Sequence, residues 1–239
     1  MSSENHSTTS HVRTHRLSAK QERNLVDFVE EKFLEITRAY KKRSLPSTTL
    51  PTLKSYIEAT HSLLPLILQI PPIDSQASLR IALLLRLTGE FLGAILGYVP
   101  DPDSLSLLLN WLDELDRGWL AVLRSQAWDP DERDGVDLEI PTFSTESNGN
   151  SPTSNTTSLS RTVSQTDRAR LRSIFVTGTS NLEEWLEKGL VVEGADDLES
   201  ALEKLGLQQA FDELFERTLG EMGYLAEDTE IHMDMTACR

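Results

Sequence analysis

The chain has 239 residues, enough for one domain of ordinary size with flanking segments, and at 38% hydrophobic and 26% charged residues it is too apolar to be disordered throughout. Its net charge of −15 is unevenly spread: residues 1–43 hold nine Lys/Arg against six Asp/Glu, residues 44–163 seven against fifteen, and residues 164–239 seven against seventeen. An acidic body repels phosphate backbones, so direct nucleic-acid contact is confined to the N-terminal segment.

Cys238 alone cannot form an internal disulfide, and the polar start Met1-Ser2-Ser3-Glu4-Asn5 contains no apolar leader. Both point to an intracellular setting, cytoplasmic or nuclear. The most apolar run, 79–99, is interrupted by Arg80, Arg86 and Glu90. Three charges would cost several kcal/mol in lipid, so the run reads as a core helix and no membrane association is expected.

Residues 1–16, rich in Ser, Thr and His, read as a disordered tail. Ser18 and Gln21 form a capping box that opens a first helix, with Leu25, Phe28, Val29, Phe33, Ile36 and Tyr40 on one apolar face. A second helix starts near Pro51 and is kinked or split by Pro65; Pro71-Pro72 stops it. A third, from about Ser75 to Tyr98, is apolar nearly all round and therefore buried, and its row Gly89, Gly93, Gly97 offers close approach to a neighbour. Asp101-Pro102 opens a fourth, with Leu108, Leu112, Leu115, Trp119 and Val122 inward and Asp113, Glu114, Asp116 and Arg117 on its wet face.

Residues 140–163, poor in apolar side chains, read as a disordered insertion. Helical signals resume at Ser164. Val176-Thr177-Gly178-Thr179-Ser180 reads as a turn, and Ser180/Glu183 and Asp196/Glu199 as further capping boxes; Gly206 ends a helix. The last helix carries Leu207, Ala210, Phe211, Leu214, Phe215 and Leu219, and the tail is polar from Ala226. The expected fold is all-α: one bundle of about seven or eight helices, with residues 17–139 and 164–225 as its two parts, between the tails 1–16 and 226–239. No strand is assigned, although Leu190-Val191-Val192 is a place for local extension.

Catalytic motifs are missing. His11 and His15 have helical metal-pair spacing but no acidic second residue and no third ligand; His61 reads as a helix-surface or core-edge side chain. Gly-x-Ser-x-Gly, a P-loop and Gly-x-Gly-x-x-Gly are absent. Asp129, Asp131, Asp134 and Asp137 do not have EF-hand spacing and read as an acidic loop. The sequence therefore points to no catalytic residue, no cofactor and no metal. Two features remain as candidate sites. Arg38, Lys41, Lys42 and Arg43 suit phosphate contact or a nuclear-import signal, although complementing the negative end of a helix dipole explains them without function. Ser164, with Arg161 three residues before and Gln165 after, is a candidate phosphorylation site at a helix N-cap.

The segments Leu68-Gln69-Ile70-Pro71-Pro72, Leu87-Thr88-Gly89-Glu90-Phe91, Trp111-Leu112-Asp113-Glu114-Leu115-Asp116, Ala127-Trp128-Asp129-Pro130 and Leu207-Gln208-Gln209-Ala210-Phe211-Asp212-Glu213-Leu214-Phe215 carry a resemblance. On them the chain resembles a filamentous-fungal all-helical family sometimes labelled "meiotic recombination protein". That label implies a strand-exchange ATPase, whose P-loop and parallel sheet this sequence does not display. The expectation is a non-catalytic helical protein–protein interaction module, an adaptor or scaffold for an unidentified protein partner. The alternative is a nuclear accessory factor in meiotic recombination or DNA metabolism, touching DNA or a DNA-bound partner through the basic end of the first helix.

Overall fold

A computed structural model describes residues 15–138 and 163–223. The readings of 1–14, 140–162 and 226–239, and with them His6, His11, Arg161, His232 and Cys238, lie outside those residues. Val163 lies inside them, and it is buried in the core rather than part of an insertion.

The first helix, α1 (Ala19–Lys41), opens on the expected box: Ser18 Oγ accepts from the Gln21 N–H, and Gln21 Oε1 accepts from the Ser18 N–H at 2.9 Å. Val29, Phe33 and Ile36 are its buried positions. Phe28 is not inward; it is 48% exposed, with the Lys32 ammonium 5.9 Å above its ring. One helical step is 100°, so the 29/33/36 stripe leaves residue 28 at its margin.

The second helix is split. Thr52 and Ser55 cap α2 (Leu53–His61), and α3 (Leu63–Leu68) follows after a break at Ser62. Pro65 cannot donate to the His61 carbonyl and its ring crowds that oxygen, so the chain parts there. Pro51 stays outside the helix that it was expected to start.

Helix α4 (Asp74–Ile95) is enclosed by Ile81, Leu84, Leu87, Phe91 and Ile95, and its buried face also carries Gln76, Arg80 and Thr88. Helix α5 (Pro102–Leu123) runs against it, with Trp111 stacked on Phe91 at 3.6 Å and Trp119 Nε1 donating to Thr88 Oγ1 at 2.9 Å. Among the described residues no helix is long and apolar enough to cross a membrane.

After α5 comes a hairpin that the apolar pattern did not show. Strand β1 (Ala127–Asp129) pairs antiparallel with β2 (Asp134–Val136), Trp128 opposite Gly135. The "acidic loop" is its turn: Asp129 Oδ1 accepts from the N–H groups of Asp131 (2.9 Å) and Glu132 (3.3 Å).

Helix α6 (Gln165–Gly189) corrects another expectation. It passes without interruption through 176–180, so there is no turn there and Ser180 caps nothing. Gly178 explains the continuity: a Cβ on it would lie 2.6 Å from Leu92 Cδ1, so glycine is what allows α6 to close on α4. Of the row expected in the third helix, Gly97 makes such an approach, a Cβ on it falling against the Tyr40 hydroxyl of α1, whereas Gly89 and Gly93 have no neighbour within 4 Å.

The chain then continues without strand through 190–197. Helix α7 (Leu198–Leu205) is capped by Asp197 with Ser200, one residue along from the expected box, and ends at Gly206. The last helix is broken: α8 (Gln208–Asp212) is followed by a turn at 213–215 and a further helical segment at 216–223.

Contacts between elements fix their directions. Leu17 pairs with Gln76 at one end and Arg43 with Gly97 at the other, so α1 is parallel to α4. Gly178 meets Leu92, and Trp185 Nε1 donates to the Tyr98 carbonyl at 2.8 Å, so α6 is parallel as well. Helix α5 runs the other way, since Trp111 meets Phe91 and Trp119 meets Thr88, and α2 and α3 run with α5, since His61 meets Glu114 and Leu68 meets Gly118. The bundle therefore has two poles, one at the C-terminal ends of α1, α4 and α6.

Candidate functional site

Two carboxylates of α5, both expected on its wet face, are instead buried. Glu114 is bonded by His61 Nε2 at 3.1 Å and by Arg133 Nη1 at 3.4 Å, joining α2 and the hairpin turn to α5. Asp116, 1% exposed, accepts from the Thr218 N–H at 3.0 Å and from Arg217 Nη1 at 3.2 Å. Arg217 also reaches Asp113 at 2.7 Å. The helical wheel held a signal for Asp116, which lies four residues after Leu112 and three before Trp119, inside the apolar stripe. Its partners, more than a hundred residues away, had no signal.

The Glu114–His61 pair resembles the carboxylate–imidazole half of an acid/base site. A buried acid that holds an imidazole and a guanidinium from two other elements acts here as a clamp. Among the described residues no group of three or more His, Cys, Asp or Glu is arranged to hold a metal ion.

The basic end of α1 is not one cluster. Arg43 lies over the Tyr40 ring at 4.4 Å and donates from Nε to the Gly97 carbonyl at 2.9 Å, so it fastens α1 to the end of α4. Arg38 lines a shallow groove with Glu30, Glu31 and Glu35, whose charge offsets its own. Lys41 and Lys42 remain exposed at the pole. Ser164 stands where the sequence put it, exposed at the N-cap of α6, its Oγ accepting from the Asp167 N–H at 3.1 Å and donating to Asp167 Oδ2 at 2.7 Å.

The same pole gathers apolar side chains. Leu45 (50% exposed), Val99 (79%) and Val191 (82%) each lie within two residues of a contact that joins the helix ends: Arg43 to Gly97, Trp185 to Tyr98, and Gly189 against Pro100. Lys41 and Lys42 stand on the α1 side of this surface, Asp101 and Asp103 at the start of α5.

The chain matches no family model, no curated protein and no solved structure.

Proposed function

We propose that the chain is a non-catalytic helical protein–protein interaction module, an adaptor or scaffold, that docks its partner at the pole formed by the ends of α1, α4 and α6. The observation that carries this reading is the exposure of Leu45, Val99 and Val191 together at one end of the bundle. A single exposed valine is ordinary; three apolar side chains around helix ends that are pinned to one another make a preorganised surface. The rim divides by charge, Lys41 and Lys42 on one side and Asp101 and Asp103 on the other. It suits an apolar segment whose own carboxylates face α1, with the acidic body repelling such a partner elsewhere and so setting its orientation.

The test is a photocrosslinking side chain at Val191, compared with one at Glu221 near the opposite pole. Specific capture of one protein at Val191 alone is expected. The pair Val99→Asp and Val191→Asp should reduce that capture at least tenfold with the helical circular dichroism unchanged. Undiminished capture by the double variant overturns the reading.

A second reading follows from the exposed Lys41 and Lys42 and from the resemblance to the recombination-labelled family: a nuclear accessory factor that touches DNA through this end. Its test is a mobility shift at low salt with wild type and the Lys41→Ala, Lys42→Ala pair. Absence of any shift for wild type ends the direct version.

A further inference from the structure

The sequence periodicity of 207–219 favours one straight helix, whose apolar stripe runs through Leu207, Ala210, Phe211, Leu214, Phe215 and Leu219. The fold breaks it. Glu213 to Phe215 form a turn, and Phe215 has a φ of 59°, a conformation that a bulky L residue rarely adopts. The break folds residues 216–223 back onto the body like a strap. There each contact is specific: Phe215 stacks on Phe175 at 3.8 Å with both rings buried, Asp116 receives the Thr218 N–H, Arg217 spans Asp113 and Asp116, and Arg124 pairs with Glu221 at 2.8 Å.

A segment held in a bent, strained form by its socket, while its own sequence prefers to be straight, has two competing conformations. Straightening relieves the strain at Phe215 and completes the helix, but carries the strap away from its own body. The socket on α5 and α6 is then open to the only sequence it is shown to fit. A strained short hinge is the usual setting for exchange of an element between identical chains.

We infer that residues 216–223 are an exchangeable strap, and that a second copy of this chain can supply the strap to the Phe175–Asp116 socket. Two chains each donating a strap make a closed, two-fold dimer, with 208–223 straightened into one helix that bridges the two bodies. This inference does not depend on the docking pole.

Two single-cysteine chains test it, Arg124→Cys and Glu221→Cys, each also carrying Cys238→Ser. The two positions face each other across an exposed ion pair, so the substitutions leave the core intact. The chains are mixed at high concentration, held just below the melting temperature, cooled, and treated with a short bis-maleimide. A chain with both cysteines, kept dilute, must crosslink within itself and so calibrates the reagent's reach. The expected result is a cross-chain product in the mixture at twice the chain's mass, at least tenfold enriched when Leu214 is deleted from both partners to shorten the hinge. A mixture that gives no cross-chain product, while the doubly substituted chain reacts within itself, overturns the inference whatever the deletion does.

Discussion

Arg80 and Asp116 are both ionisable side chains 1% exposed, and they act on the fold in opposite directions. Among the described residues Arg80 makes one hydrogen bond, Nη1 to the Gln126 carbonyl at 2.7 Å; its Nε and Nη2 have no partner there, and no described carboxylate reaches it. Burial pushes its pKa down to about 9. The charged form is therefore disfavoured in the folded chain relative to the unfolded one, where the guanidinium keeps its ordinary, higher value. Protonation opposes folding at neutral pH, and the penalty is relieved as pH rises from about 9 toward the guanidinium range. Losing the bond to Gln126 costs about 1 kcal/mol, whereas an unpaired buried charge costs several. Arg80→Met, whose unbranched apolar side chain replaces the arginine stem without its charge, should thus raise the melting temperature at pH 7. The advantage over wild type should shrink above pH 9. Thermal melts of both chains across that range check it; a lower melting temperature for the variant at pH 7 refutes it. Asp116 is the paired case, and Asp116→Ala leaves the buried Thr218 N–H without its acceptor, while Arg217 keeps Asp113. A loss of about 1–3 kcal/mol in urea unfolding is expected, the cost of a buried donor left unsatisfied.

Helix α6 shows why some of the fold was legible and some was not. Its start was readable because an N-cap serine satisfies donors only a few residues away, and the same holds for Ser18 and Asp101. Ser180 carries the same pattern, but nothing in the neighbourhood forces the chain out of the helix, so the pattern is silent. Gly178, which looks locally like a turn residue, is instead set by Leu92 of another helix. The hairpin escaped because three-residue strands are too short to display a period. The His61–Glu114–Arg133 clamp and the Asp116 socket escaped because residues close in space are distant in sequence. The basic end of α1 was legible as residues but not as a cluster, since Arg43 spends its donors on Tyr40 and Gly97. The role assigned to Gly178 is open to a direct check. Gly178→Val adds volume 2.6 Å from Leu92 and should destabilise the chain by about 1–3 kcal/mol, although a side chain there removes the flexibility of a mid-helix glycine. A variant as stable as wild type would show that α6 does not need this approach.

The two ends of the bundle are unlike. One is the pole of the α4 N-terminus. Leu17 is bonded to Gln76 there, the hairpin follows the end of α5, α6 begins there, and Glu221 pairs with Arg124. The opposite pole is built from closed connections and carries the exposed valines. Between the poles, α4 and α5 are covered by neighbours for most of their length, whereas the strap at 216–223 lies on the outside and bends at a residue whose conformation costs about 1–3 kcal/mol. Such a difference in enclosure separates the free energies at which parts of one chain open. Native-state hydrogen exchange followed by mass spectrometry should find the amides of 216–223 exchanging at least tenfold faster than those of α4 and α5, at protein concentrations too low for exchange between chains. Phe215→Ala removes the ring that anchors the strap to Phe175, so it should accelerate the strap's amides further with little change in the local opening of α4. If the strap and α4 exchange together in wild type, the bundle opens as one cooperative unit and the strain at Phe215 does not weaken the strap locally.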